Sequence, residues 1–318
     1  MPPSFIDGWF KLSPELKDYV MRFLQLQDLS AYAAVSDDFR LYAVKCIRSR
    51  LTSLVKPYGF NASSAIALLT RHNAVIGGSL ALELVNPTGL VPANLDFMCP
   101  RHSAYNVLDS LMRCGYVLKK DPIIGPVVVD EARGRNSIHE VGTLWNEELR
   151  ALIHVVVSTE LSPLAPIYSG HSTILMNFVS AHGVYSCYPL ITSRRQGFRN
   201  ISDTEVAIQP RRILDQEKYL ARGYSYLEPC PADYRSNPSA LHGASEHCLH
   251  TIRYAGDQLT ACLPFDVFKE RYGIIQEECF VRAPGGSGRS FVSSNTQDDF
   301  RLPGRYNGVS MHIHRHPR

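Results

Sequence analysis

Residues 74–100 decide the fold of this chain, and they read AVIGGSLALELVNPTGLVPANLDFMCP. A short apolar run ends in Gly77-Gly78-Ser79 and leads into a helical pattern, and a second apolar segment carries Asn94 and Asp96. Glycines between a strand and a helix let the backbone approach a phosphate, and the helix N terminus supplies free N–H groups there. Asn94 and Asp96 point to the same side of a strand because side chains alternate along it. The stretch therefore predicts a nucleotide-binding turn, Gly77, Gly78 and Ser79, beside a polar pair.

These residues resemble the polymerase-beta-like nucleotidyltransferase superfamily, whose signature is Gly-Ser followed by Asp-x-Asp or Asp-x-Glu. Here the first end of the triplet is Asn94, and only Asp96 is acidic. The family takes a third carboxylate from a later strand, which the resemblance places within Leu152–Val157, where the chain carries His154 and no acid. Two Mg²⁺ ions about 4 Å apart need several anionic oxygens. The resemblance therefore implies a degenerate nucleotidyltransferase in which Asp96, Asn94 and His154 are vestigial, with Mg²⁺ as the cofactor if the protein is active.

The composition sets broad limits. The chain has 318 residues, 45% of them apolar and 20% charged, which predicts an ordinary globular protein with two domains. A net charge of +3 is too small to indicate attraction to nucleic acid or to a membrane. Eight scattered cysteines without a secretory leader indicate reduced thiols and a cytoplasmic or nuclear location. Because no apolar run reaches about 20 residues, no membrane span is expected.

Residues 12–40 read LSPELKDYVMRFLQLQDLSAYAAVSDDFR. Ser13 is a good helix cap and Pro14 suits the first helical position. The order of these motifs resembles an F-box, which implies docking to the Skp-type adaptor subunit of a cullin–RING ubiquitin ligase. The residues expected to bind this partner are the apolar ones of the first helix: Leu12, Pro14, Leu16, Val20, Phe23 and Leu24. The alternative is a plain three-helix cap, which would bury these side chains internally, whereas an F-box leaves them available.

Helical and strand-like patterns alternate after the first unit. A helix is predicted over 61–71 and another over 102–114, and strands are predicted over 116–118, 127–129, 138–144 and 152–157. This order predicts an α+β protein, with an F-box-like unit at 10–55 and a nucleotidyltransferase-like mixed sheet with flanking helices at 60–265. Residues 280–318 are predicted to be a flexible basic tail.

The segment HSTILMNFVSAHGVYSCYPLIT, residues 171–192, adds a second resemblance. Together with VIGGSLAL and NLDF it is similar to a fungal group of proteins in which an F-box-like N terminus precedes a nucleotidyltransferase-like domain. Ser172 or Thr173 is expected to cap a helix whose apolar side chains face inward, with His171 and Asn177 either at a pocket mouth or satisfying buried backbone groups.

Two further regions carry charged or metal-binding residue types. Residues 194–222 hold several arginines among acids, which indicates a solvated face more than a phosphate-binding one, and a helix is predicted from Pro210 through Tyr219. The role of Cys230, His247, Cys248 and Cys262 stays open, since they form no Cys-x-x-Cys pair of the kind that structural zinc sites use.

Two functions follow from these patterns. The first is a non-catalytic adaptor, in which the F-box-like helices dock to the ligase and the sheet domain binds a client protein or a nucleotide. The second is an active metal-dependent nucleotidyltransferase acting on RNA, a protein or a small molecule. An inert structural relic is a third possibility that the sequence leaves open.

Overall fold

The structure, a computed structural model, describes residues 8–9, 11–119, 137–199, 210–228 (210–213 as backbone) and 257–266, and the backbone of 253–254, 278–282 and 289–293. Its helices are α1 (Pro14–Met21), α2 (Leu26–Ala33), α3 (Asp37–Val55), α4 (Ala62–His72), α5 (Gly78–Val85), α6 (Ala104–Arg113), α7 (Ala165–Tyr168), α8 (Pro189–Ser193) and α9 (Pro210–Ala221). Its strands are β1 (Val75–Gly77), β2 (Leu95–Pro100), β3 (Val117–Leu118), β4 (Ile138–Asn146), β5 (Ala151–Ser158), β6 (Asn177–Val179), β7 (Gly183–Ser186), β8 (Gln196–Phe198), β9 (Ser225–Leu227), β10 (Arg253–Tyr254), β11 (Ala261–Pro264), β12 (Glu278–Arg282) and β13 (Arg289–Ser293). A helical N-terminal region and a large mixed sheet confirm the predicted α+β class.

The first three helices begin at residues that cap them. Ser13 accepts a hydrogen bond from the Leu16 amide, and Ser36 accepts one from the Phe39 amide, both at 3.4 Å. Gln25 and Asp28 form a reciprocal capping box at the start of α2. Such caps satisfy amide groups that the first turn of a helix leaves without a partner, so the breaks between the three helices follow from local chemistry.

An eight-stranded sheet has the order β11-β7-β6-β1-β2-β5-β4-β3. β2 and β5 pair in parallel, and the other neighbours pair antiparallel. In this register Gly77 lies opposite Asp96, and Asp96 lies opposite His154. The sheet therefore aligns the glycine turn with both polar residues across three adjacent strands.

The two faces of the sheet have different surroundings. Leu95, Phe97 and Cys99 are buried on the face that packs toward the helical region, where Phe97 contacts Phe60 with ring centroids 6.2 Å apart. Asp96 and Met98 alternate with them and are only partly buried. On the face that carries Asp96, Met98 packs against a second apolar cluster that includes Ile167 and Tyr168.

Hydrogen bonds join the helical region to the sheet domain. Arg50 of α3 donates to the carbonyl of Leu84 in α5 and to carbonyls at the end of α1. Ser30 of α2 donates to the carbonyl of Cys262 in β11 at 2.9 Å, and Gln25 donates to that of Ser193 at 3.1 Å. One apolar core also runs through both parts, so the helical region is packed against the sheet as part of the same body.

The helix expected after His171 is wrong. Residues 173–175 form one 3₁₀ turn, and residues 177–179 form β6, which pairs with β1 and β7. The aromatic and β-branched pair Phe178-Val179 favours a strand, and the two neighbouring strands provide its hydrogen-bond partners. Asn177 is fully buried and donates to the carbonyl of Ile174 at 2.7 Å, so it satisfies a backbone group and lines no pocket mouth.

Several expectations lie outside the described residues. These include the strand at 127–129 and the roles of Cys230, His247 and Cys248, whereas Cys262 is buried in β11. Within 280–318, predicted to be a flexible tail, the structure describes the end of β12 and all of β13, which pair with each other. In the described part of the chain, no helix is both long and apolar enough to cross a bilayer.

Candidate functional site

The glycine turn joins β1 to α5 and is packed too tightly for side chains. Gly78 has a φ of +66°, and a Cβ placed there would overlap the carboxylate of Asp96. A Cβ at Gly77 would lie 2.7 Å from Ile167 Cδ1 and 2.8 Å from Met98 Cε. A Cβ at Gly77 would displace these side-chain ends, whereas Gly78 favours glycine by its left-handed backbone as well as by its closeness to Asp96. Ser79 follows in the first turn of α5 and is buried.

Asp96 lies at the centre of a polar cluster with Asn94 and His154. The Asn94 amide nitrogen donates to Asp96 Oδ1, and His154 Nδ1 lies 3.0 Å from the same oxygen. When Nδ1 carries the proton it donates to this carboxylate, and in the other tautomer it accepts from the Asn94 amide nitrogen, which lies 3.3 Å away. The cluster thus has the chemistry of an oriented imidazole beside one carboxylate.

Two tyrosines lie within electrostatic range of Asp96. Burial, with a smaller contribution from the negative charge of Asp96, raises the pKa of Tyr58 to about 12. Burial likewise raises the pKa of Tyr219 in α9; Arg222 opposes this shift and Asp96 adds to it. Both phenols therefore remain protonated at neutral pH and serve as neutral groups around the cluster.

The described residues around Asp96 do not fit a pair of Mg²⁺ ions. In this cluster the partners of Asp96 are an amide and an imidazole, and Asp96 Oδ1 already accepts from Asn94. Across all residues that the structure describes, no group of three or more His, Cys, Asp and Glu side chains is placed to hold a metal ion. Because paired divalent ions need several anionic oxygens, the described residues around Asp96 offer too little negative charge to hold them.

A second candidate site is the outward face of α1, which is apolar and exposed. Leu16 is 53% exposed and Phe23, just past the helix end, is 64% exposed, while Tyr19 and Val20 lie between them and are exposed too. The spacing i, i+3, i+4, i+7 places all four on one side of the helix. Met21 is the buried residue of α1 and faces the opposite way. We call Leu16, Tyr19, Val20 and Phe23 the α1 face.

The expected partner-binding residues divide between this surface and the core. Leu16, Val20 and Phe23 lie on the α1 face, and Pro14 is also exposed. Leu12 and Leu24 are half-buried and pack against the core. Sequence reasoning missed Tyr19, whose ring lies 5.2 Å from that of Phe23; its position four residues before Phe23 was the available signal.

The arginine-containing region after residue 194 lies around β8, β9 and the end of α9. Arg199 packs over the ring of Tyr226 at 5.0 Å, and Arg222 packs over that of Tyr219 at 5.3 Å. His171 lies near the same helix, with its ring 5.5 Å from Tyr219. These cations stack on tyrosines of their own region, which gives them a structural role.

Comparisons of the chain with protein-family models, with curated proteins and with solved structures found no match.

Proposed function

We propose that the protein is a non-catalytic adaptor that docks to a Skp-type subunit of a cullin–RING ubiquitin ligase through the α1 face. The observation that carries this proposal is that α1 has its large apolar side chains on the solvent side. Four large apolar side chains point away from the fold while the inward side contributes Met21. Contiguous exposed apolar surface of this kind is typical of protein-interaction sites.

The F-box-like order of motifs is the reason for proposing a Skp-type subunit as the partner. An F-box resemblance requires that side chains such as Leu12, Pro14 and Leu16 stay accessible. Pro14 and Leu16 are exposed, whereas Leu12 is half-buried against the core. A helical cap made only to cover the sheet domain would place them inside. The outward apolar face therefore favours the docking interpretation over the cap.

The rigid connection to the sheet supports an adaptor role. Arg50, Ser30 and Gln25 join the three helices to the sheet domain by hydrogen bonds. A client protein or nucleotide bound by the sheet domain would then be held at a fixed orientation to the ligase. The glycine turn of Gly77, Gly78 and Ser79 is the place proposed for a nucleotide.

The direct test is the affinity of the purified full chain for the purified Skp-type subunit, measured by calorimetry. Two variants with equal added charge make the comparison specific. Leu16→Glu/Phe23→Glu changes the α1 face, and Tyr105→Glu/Met112→Glu changes residues of α6 that are 75% and 43% exposed. We expect the parent and the α6 variant to bind alike, and the α1 variant to lose at least about a hundredfold in affinity, since hot-spot losses reach ~2–4 kcal/mol.

Absence of binding by the intact, folded parent would end the adaptor proposal. Equal losses in both variants would also contradict it, because the effect would then be one of charge and not of the α1 face.

An active nucleotidyltransferase is the second candidate, and one observation favours it: Asp96 lies directly opposite the glycine turn. Incubation with labelled nucleotides and Mg²⁺ or Mn²⁺ tests this function. On the adaptor proposal neither the parent nor Asn94→Asp transfers label, because one added carboxylate still leaves the third position as His154. Turnover by the parent that disappears in Asp96→Ala would establish the enzyme instead.

A further inference from the structure

A cleft of about 410 Å³ lies between α1, α3 and the end of α5. Its volume falls in the range of roughly 300–1,000 Å³ that small-molecule sites occupy. Arg22, just past the end of α1, and both Lys45 and Arg50 of α3 line it. It is separate from the polar cluster around Asp96, and its wall on α1 is a different side of that helix from the α1 face.

Two of the three cations in the cleft are available to a ligand. Arg50 donates to the carbonyls of Met21, Leu24 and Leu84 at 2.9–3.0 Å, so its donors are used by the fold. Arg22 and Lys45 are exposed, and neither forms an ion pair with a described residue. The Lys45 ammonium lies 5.9 Å from the ring of Tyr42, which leaves its hydrogen-bond donors open.

The carboxylates in the cleft are bound to other donors. Asp18 accepts a hydrogen bond from the Tyr42 hydroxyl. Glu83 is buried and accepts from the Thr88 amide at 2.8 Å, the Thr88 hydroxyl at 2.6 Å and the Gly89 amide at 2.7 Å. These two acids are therefore held by the protein and do not neutralise Arg22 or Lys45 by contact.

Hydroxyl groups extend the polar wall along α3. Lys45, Ser49 and Ser53 follow at intervals of four residues, share one face of the helix and all line the cleft. The result is a concave site with two exposed cations, Arg22 just past the end of α1 and Lys45 on α3. Of the hydroxyls beside Lys45, that of Ser53 already donates to the Ser49 carbonyl at 3.2 Å. A phosphomonoester carries about −1.5 to −2 charge at neutral pH and three strong acceptor oxygens, which matches this set better than a singly charged carboxylate does.

We propose that the cleft between α1, α3 and the end of α5 binds a phosphomonoester group. This site does not depend on the adaptor function, because it uses neither the α1 face nor the glycine turn. Arg22 and Lys45 supply the charge, and the half-buried Arg50 holds the end of α1 against α3 by its bonds to the carbonyls of Met21 and Leu24.

The probe is inorganic phosphate, titrated into the full chain at constant ionic strength and followed by calorimetry and by the unfolding midpoint. We expect saturable binding that raises the midpoint as phosphate increases. Arg22→Gln/Lys45→Gln should weaken this binding at least about tenfold, because it removes the charge-assisted hydrogen bonds that both cations give to the phosphate.

The matched control is Lys11→Gln/Lys56→Gln, which removes two exposed cations outside the cleft. It should bind phosphate as the parent does. No saturable binding by the parent would overturn the proposal, and so would equal weakening in the two variants. Unfolding midpoints without phosphate verify that both variants are folded.

The same chemistry occurs in free phosphate esters and in phosphorylated side chains. A peptide Ala-Ala-phosphoserine-Ala-Ala, titrated beside inorganic phosphate, separates these sources. Binding at least tenfold tighter than phosphate would assign the cleft to a phosphorylated protein, and equal or weaker binding would assign it to a small molecule. The unphosphorylated peptide should not bind, and binding equal to that of the phosphopeptide would overturn the proposal.

Discussion

Gly78 and Asp96 constrain each other at the centre of the molecule. The left-handed backbone at position 78 and the carboxylate that lies against it leave no room for a side chain. The glycine turn therefore has a structural explanation that does not require a nucleotide.

We expect Gly78→Ala to cost more stability than Gly89→Ala. Gly89 has a similar φ of +81°, but nothing lies within 4 Å of a Cβ there. Both variants lose about 1 kcal/mol or more from the unfavourable backbone, and Gly78→Ala should lose a further ~1–3 kcal/mol from overlap with Asp96. Denaturant unfolding measures both values. Adding Asp96→Ala to Gly78→Ala should remove most of the difference, and equal costs for the two single variants would contradict the packing described.

Among the elements, α1 shows most clearly how a pattern and its environment combine. Its apolar repeat predicted a helix, and the caps at Ser13 and Pro14 predicted where it begins. The repeat alone does not predict which side of α1 packs against the rest of the protein. That depends on Asp18 and Met21, which face Tyr42 and the core through contacts distant in sequence.

The segment after His171 shows the opposite case. Its apolar residues fit a helix by spacing, but β1 and β7 recruit Asn177–Val179 as a strand between them. A three-residue strand has no period long enough to detect, and its partners lie far along the chain or after a turn. Tertiary pairing thus overrides the local pattern.

The contact between α4 and α6 predicts a pH dependence of stability. His72 Nε2 lies 2.9 Å from the Ser110 hydroxyl, and burial, followed by the charge of Arg71, lowers the pKa of this imidazole. The unfolded chain then binds a proton more readily than the folded one. His72 therefore contributes stability that is complete above about pH 6.5 and is lost as the pH falls toward the folded pKa.

The free energy of unfolding, measured from pH 7.5 to 5, should accordingly fall less in His72→Gln than in the parent. His102→Gln, which changes an exposed histidine before α6, should follow the parent. If the free energy of unfolding changes with pH in the same way in His72→Gln and in the parent, the imidazole of His72 has the same pKa in the folded and unfolded states.

At the scale of the whole molecule, Arg50 joins the helical region to the sheet domain. It donates to carbonyls of Met21, Arg22 and Leu24 near the end of α1 and to that of Leu84 in α5. Burial lowers the pKa of this guanidinium, which nevertheless stays charged at neutral pH. One side chain thus satisfies backbone acceptors from both parts of the fold.

We expect Arg50→Met to lower the free energy of unfolding by about 2–4 kcal/mol, because it leaves partly buried carbonyls without a donor. Arg113→Met is the control, since its exposed ion pair with Asp109 at 2.8 Å should contribute less than about 1 kcal/mol. Chemical denaturation followed by two probes, one in each part, should give one shared transition in the parent. If Arg50→Met lowers the free energy of unfolding by less than about 1 kcal/mol, Arg50 does not join the helical region to the sheet domain as described.

Most of the secondary-structure elements could be predicted from the sequence. The contacts that form the candidate sites could be predicted only in part. The α+β class, the helices over 61–71 and 102–114 and the start of α9 at Pro210 agree with the structure. The sequence placed Asp96 on a strand and pointed to His154, but their contact depends on parallel pairing of β2 with β5. The cleft lined by Arg22 and Lys45 could not be foreseen, because it arises from how two helices and the end of α5 pack.

The central claim is that the α1 face is a docking surface for a Skp-type subunit, and amide hydrogen exchange tests it most directly. At saturating concentrations of that subunit, we expect amides of α1 to exchange at least about tenfold more slowly, because an ordered interface suppresses local opening. Amides of α6, whose exposed Tyr105 and Met112 lie elsewhere, should exchange at unchanged rates. Unchanged exchange in α1 under these conditions would contradict the claim.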